Sequence, residues 1–239
     1  MLWLKWNDNY EHHVCNSKHS RKAMERTPET HKSMSKSSVI TIFAYEREEA
    51  QHRKRFKELK KEAEKIGYPV VLKLLSPDVI HKTESNAVVL GIRSAEEVKS
   101  HAERLLVGSK IPSQLLIQEL VLGSEIILGA RTDPQFGPFI MVGLGGIYVE
   151  ILKDTSLRLL PVDAKEARAM LKELKGYPIL EGVRGQGRRD ISALVRAIVG
   201  LSEIFVNYRS YLSDLEINPL IVKKDGSGIA AVDVRMVRK

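Results

Sequence analysis

Apolar and polar positions change rhythm twice along this chain. Residues 1–38 mix His, Ser, Lys and Thr with scattered apolar residues and keep neither a two-residue nor a 3.6-residue period. We read residues 1–45 as an irregular or disordered N-terminal segment. From 46 to 67, "EREEAQHRKRFKELKKEAEKIG" sets Ala50, Phe56, Leu59, Ala63 and Ile66 at helical spacing, and Gly67 is a natural stop. After Tyr68-Pro69 the apolar residues run together. "VVLKLL" and "AVVLGI" read as strands, "SAEEVKSHAERLLV" as a helix with Ser94 at its N-cap and Glu97 three residues on, and "QLLIQELV" as another strand.

"SEIILGART", "FIMVGL" and "IYVEILKD" (147–154) follow with strand character, then two helices opening near Asp163 and Asp190. "LEINPLIV", the turn "KKDGSG" and "IAAVDVRM" close the chain as a β-hairpin. Hairpins mixed with helices, without strict βαβ alternation, indicate an α+β fold. The division is 46–120 as a smaller subdomain, incomplete or divergent, and 121–239 as a larger one.

Composition narrows the function. The 239 residues carry a net charge of +8, but residues 1–66 hold fifteen Lys/Arg against ten Asp/Glu, so any basic patch belongs there. The core is not read as a nucleic-acid binder. Cys15 is the single cysteine, so no intrachain disulfide forms. The longest uncharged run, 134–149, is interrupted by glycine and proline and falls short of the roughly 20 apolar residues that span a bilayer. The expectation is a cytoplasmic protein with no membrane attachment.

Several positions carry chemistry. A turn centred between Asp225 and Gly226 sets Asn218 directly opposite Asp233, about 5 Å apart between Cβ atoms. Glu216 shares their face of the hairpin. Ile217, Pro219, Ile221, Ala230, Val232 and Val234 form the other face, which reads as core. Hard oxygen donors of this kind suit Mg²⁺ beside phosphates, though a polar face meeting water gives the same pattern. Lys73, among apolar neighbours, is either a cleft lysine meeting phosphate or a lysine on an edge strand or solvent face. Gln118, Glu119 and Glu125 could offer groups to a nucleoside. "GLGG" (143–146) is either an anion nest or a tight turn. Asp154 and Arg158 suit metal or phosphate, and equally an ordinary ion pair. His81 is the candidate nucleophile or phosphate carrier, against a surface or capping histidine.

Taken together, "GYPVVLKLLSPDVIHKTES", "DPQFGPFIMVGLGGIYVEILKD", "GYPILEGVRG" and "LEINPLIV…AAVDVR" resemble the β subunit of ADP-forming acyl-CoA (acetyl-CoA) synthetases, of the ATP-grasp superfamily. The resemblance covers roughly 46–239. It implies two α+β subdomains with nucleotide bound between them, and an acid–thiol ligase that converts acyl-CoA, ADP and phosphate to carboxylate, ATP and CoA through a phosphohistidine relay. It implies a CoA-binding α partner in an α2β2 assembly, with ADP/ATP as substrate and Mg²⁺ as cofactor. By motif, His81 would be the relay and Lys73 would meet nucleotide phosphate. Gln118, Glu119, Val121 and Glu125 would hold adenine and ribose, and Gly145, Gly146 and Arg158 would serve phosphate or its loop. Asn218 and Asp233, with Glu216 beside them, would hold the metal. Asn86-Ala87 replaces the family's Gly-Gly after the histidine motif, where a Cβ obstructs close approach of backbone to phosphate. That departure, with the unusual N-terminus, leaves a non-catalytic ATP-grasp-like binding or regulatory module as the alternative.

Overall fold

The computed structural model describes residues 5–7, 41–44, 49–75, 87–107, 114–146, 153–183, 185 and 187–239, with side chains from Phe56 onward. These residues form two units that divide after Leu120.

The first unit contains β2 (Thr41–Ala44), α1 (Glu49–Ile66), β3 (Val70–Leu75), β4 (Val88–Ile92), α2 (Ala95–Val107) and β5 (Gln114–Glu119). Its strands run in the order β2-β5-β3-β4, each pair antiparallel. The two helices bury one sheet face: Leu59, Ala63, Val98 and Ala102 meet Val70, Leu72, Leu74, Leu115 and Ile117 in one cluster. Gly67 ends α1 at φ +89°, and its N–H donates to the Ala63 carbonyl. That is the single-bond left-handed cap, which glycine adopts at little steric cost. Ser94 Oγ accepts the Glu97 N–H at 3.2 Å, while the Glu97 carboxylate accepts the Arg93 N–H at 2.8 Å. The reciprocal bond of the cap thus falls one residue earlier than the capping-box pattern has it.

The second unit contains β1 (Lys5–Asn7), β6 (Ser124–Asp133), β7 (Gly137–Leu144), β8 (Thr155–Leu159), α3 (Ala164–Glu173), α4 (Tyr177–Glu181), α5 (Ile191–Tyr208), β9 (Leu212–Val222), β10 (Ile229–Ala231) and β11 (Val234–Arg238). Its strand order is β1-β11-β9-β6-β7-β8, with β10 on β9. Asp163 and Asp190 cap α3 and α5, accepting the Glu166 and Ala193 N–H groups at 2.7 and 2.8 Å. Helix α5 is long and apolar enough to cross a membrane. Here Ile191, Leu194, Val195, Ile198, Leu201 and Phe205 instead face the core over Ile126, Leu128, Ile140 and Val142. Burying these side chains supplies the main stabilisation of this unit.

Two sequence expectations change, and a third falls largely outside the described residues. Segment 1–45 contributes two strands: β1 joins β11 in parallel and β2 joins β5. Three- and four-residue strands are too short to show a period and are held by partners far along the chain. The strand expected at 147–154 lies largely outside the described residues, and β8 begins only at Thr155. Finally, β9 does not keep one apolar face. Its register on β6 shifts between Ile126 and Leu128, so Leu215 and Ile217 before the shift and Leu220 and Val222 after it all reach the core. One extra residue reverses the alternation.

Candidate functional site

In the first unit, Lys73 and Gln118 share the sheet face opposite the helices. Lys73 pairs with Leu116 and Gln118 with Val71, while their neighbours Leu72 and Ile117 point into the helix-covered cluster. Lys73 is 6% exposed on β3, between β5 and β4. It is therefore neither an edge-strand nor a solvent-face lysine. Gln118 is 5% exposed, and its Oε1 has no hydrogen-bond partner among the described residues. An orphaned buried acceptor costs about 1–3 kcal/mol unless a ligand or water donates to it. Glu119, next along, is exposed.

His81 and Asn86 lie outside the described residues. Ala87 is described: it is 1% exposed, its methyl belongs to the first unit's apolar cluster, and its carbonyl accepts the Leu74 N–H at 2.7 Å. Among the described residues Lys153 is the one non-glycine with positive φ. Position 87 therefore needs no glycine, and its Cβ packs inward, which corrects the expected obstruction there.

In the second unit, the "GLGG" loop and Glu125 come together although β6 and β7 separate them in sequence. Gly145 N–H donates to the Glu125 carbonyl at 2.7 Å. A Cβ on Gly145 would lie 2.8 Å from Glu125 Cβ, and one on Gly146 would lie 3.2 Å from Glu125 Oε2. Gly146 also has φ +63°. The two glycines are thus required by close approach and by conformation, respectively. With Gly123, Ser124, Leu144 and Ile179 they line a pocket of about 370 Å³. Val121, half-buried, stands at the start of this unit.

Arg158 and Asp154 are used by the fold. Ser156 and Arg158 lie opposite Val142 and Ile140, on the core side of β8, while Leu157 and Leu159 are exposed. The cause is α3, whose Glu166 and Glu173 both accept from the Arg158 guanidinium. Those carboxylates raise the Arg158 pKa further above its usual range, and Arg158 in turn lowers that of Glu173. The ion-pair alternative describes Arg158 in this structure. Asp154, 6% exposed, accepts the Lys175 and Gly176 N–H groups, each at 2.8 Å.

At the hairpin, Asn218 N–H donates to the Asp233 carbonyl at 2.9 Å, and Val232 N–H to the Pro219 carbonyl at 3.1 Å. Asn218 and Asp233 are therefore cross-strand neighbours, as the turn position predicts. The same face carries a ladder of charge that the sequence reading missed. Arg131 holds Asp214 at 2.8 Å, Arg235 reaches Asp214 at 3.3 Å and Glu216 at 3.1 Å, and Asn218 Nδ2 donates to Glu216 Oε1 at 3.4 Å. The register that sets 218 against 233 also sets 216 against 235, so Arg235 was legible from the same turn. No three His, Cys, Asp or Glu side chains gather as a metal set among the described residues. A Mg²⁺ held here would rest on one or two protein oxygens plus phosphate, a common arrangement for that ion.

This α+β arrangement of two sheet-and-helix units is that of an ATP-grasp protein. The ATP-grasp domain model matches residues 22–237, and the chain belongs to that family. A β subunit of ADP-forming acetate–CoA ligase II from Pyrococcus furiosus is 41% identical over 186 residues, 75% of this chain and 79% of that one. A longer ADP-forming acetate–CoA ligase I from Archaeoglobus fulgidus is 41% identical over 181 residues, 73% of this chain and 26% of that one. Among solved structures, a dinucleotide-forming acetyl-coenzyme A synthetase from Ca. Korarchaeum cryptofilum covers 84% of this chain and 85% of its own at a TM-score of 0.67 and 35% identity. It holds coenzyme A and Mg-AMPPCP, with its phosphohistidine segment pointing towards the nucleotide-binding site. The resemblance to ADP-forming acyl-CoA synthetase β subunits, read from the motifs, is borne out.

Proposed function

We propose that this chain is the nucleotide-binding β subunit of an ADP-forming acyl-CoA synthetase. With a CoA-binding α partner, in an α2β2 assembly in the cytoplasm, it converts acyl-CoA, ADP and phosphate to carboxylate, ATP and CoA. The observation that carries this reading is the Asn218–Asp233 pair at the hairpin of a chain in this family.

Phosphoryl transfer needs positioning and charge neutralisation more than covalent chemistry from the protein. The His81 imidazole accepts the phosphoryl group from the partner's side and passes it to the terminal oxygen of ADP. Buried Lys73 offers its ammonium to the nucleotide phosphates. The orphaned Gln118 Oε1 accepts from the adenine amine, and Glu119, Val121 and Glu125 line the nucleoside. Gly145 and Gly146 bring backbone close to the phosphate side, while Arg158 keeps the β8 edge in place. Asn218 and Asp233 fit Mg²⁺, whose contribution when bound is to offset phosphate charge.

The test combines the chain with a CoA-binding α chain and follows ATP formation from acetyl-CoA, ADP and phosphate. His81→Ala abolishes turnover while Mg-ADP still binds. Turnover that survives His81→Ala, or no turnover with any α partner, refutes the assignment. The inward-packed Ala87 methyl removes one ground for the non-catalytic alternative.

A further inference from the structure

The charge ladder beside Asn218 has a direction. Arg131 and Arg235 both hold Asp214, whose side chain is 12% exposed, and Arg235 alone extends to Glu216. Glu216 divides its oxygens: Oε2 accepts from Arg235, and Oε1 accepts from Asn218 Nδ2. A planar amide that gives its nitrogen to one neighbour turns its oxygen to the other side. We propose that Arg235 is a positioning residue for the cation pair. It fixes Glu216, Glu216 orients the Asn218 amide, and Asn218 Oδ1 is thereby left to meet a divalent cation alongside Asp233.

On this view Glu216 is not itself a ligand. Its charge is offset by the guanidinium, and its work is to select the rotamer and amide orientation of its neighbour, as partners behind metal ligands do. The inference rests on the reading of Asn218 and Asp233 as the Mg²⁺ pair. One guanidinium nitrogen, Nη2, donates to both carboxylates, to Asp214 Oδ1 at 3.3 Å and to Glu216 Oε2 at 3.1 Å.

The test is calorimetric titration of the full chain with ADP, in Mg²⁺ and in chelator. The quantity read is the Mg²⁺-dependent gain in ADP affinity. Arg235→Met reduces that gain about tenfold and leaves metal-free ADP binding unchanged, in the range expected for losing a partner behind a ligand. Glu216→Ala does the same, and the double variant is no worse than Glu216→Ala, because the two act in series. A directly ligating Glu216 gives the opposite result: Arg235→Met frees the carboxylate and keeps or raises the gain, which overturns the proposal. If Arg235→Met melts well below wild type, Arg235→Gln, which keeps a polar side chain and removes the charge, carries the test. A severalfold loss of the gain supports the positioning role, and an unchanged gain overturns it. A wild-type chain with no Mg²⁺-dependent gain overturns the nucleotide reading and this one with it. A normal wild-type gain with a normal Arg235→Met gain overturns this one alone.

Discussion

Replacing Asp154 separates a structural carboxylate from a ligand. Asp154 is 6% exposed and satisfies two backbone donors, Lys175 N–H and Gly176 N–H, at 2.8 Å each. The turn it holds leads directly into α4, whose Ile179 lines the pocket beside the glycine loop. A hydrogen bond to a charged group contributes about 1.5–3 kcal/mol. Both bonds are lost in Asp154→Ala, but Lys175 is exposed, so water replaces part of its bond. The expected destabilisation is about 2–4 kcal/mol. Asp154→Asn keeps one acceptor oxygen and turns an N–H₂ towards the second donor, so it falls between alanine and wild type.

Urea unfolding followed by circular dichroism gives the size of the effect. Hydrogen exchange in the peptides spanning 153–176 localises it, which matters because two units need not unfold together. Refutation would be an Asp154→Ala chain within about 0.5 kcal/mol of wild type, the range of an ordinary surface substitution. If that chain also lost Mg-ADP binding, the carboxylate would be a ligand after all.

Two further perturbations probe the frame of the site. Gly123→Ala would place a Cβ 2.4 Å from the Val222 carbonyl oxygen and 2.5 Å from Ile221 Cγ2, so β6 must part from β9. A loss of about 1–3 kcal/mol follows from overpacking against backbone, and a chain that melts like wild type would contradict the packing. The Asp190 carboxyl is held below the usual aspartate range, chiefly by the Ala193 N–H, with the Gly228 N–H adding to it against the opposing effect of burial. Its contribution is complete above the unfolded value of about 3.9 and disappears as pH falls through the lower folded value. Asp190→Asn therefore flattens the decline of stability below about pH 4, and an unchanged acid limb in chemical denaturation sinks the assignment.

Local rules made much of the molecule legible. Asp163, Asp190 and Ser94 announced their helices because a cap is chosen by the next three residues. Asn218 fell opposite Asp233 because a hairpin register follows from its turn. What sequence could not supply depended on distant partners. Period 2 on "TSLRL" would send Leu157 and Leu159 inward, but Glu166 and Glu173 on α3 draw Arg158 to that side instead. Lys73 gave no sign of whether it lay on an edge until β4 and β5 were both paired to its strand.

The sequence by itself determined the α+β family, the hairpin and the residue types from which a magnesium pair can be built. Only the tertiary structure decided that the Ala87 methyl faces core, that β1 joins the sheet on β11, and that Arg131 and Arg235 share Asp214. Capping and turn geometry are settled within a few residues. Burial, strand order and the sharing of a carboxylate between two arginines depend on which distant segments meet, and no short window of sequence records that.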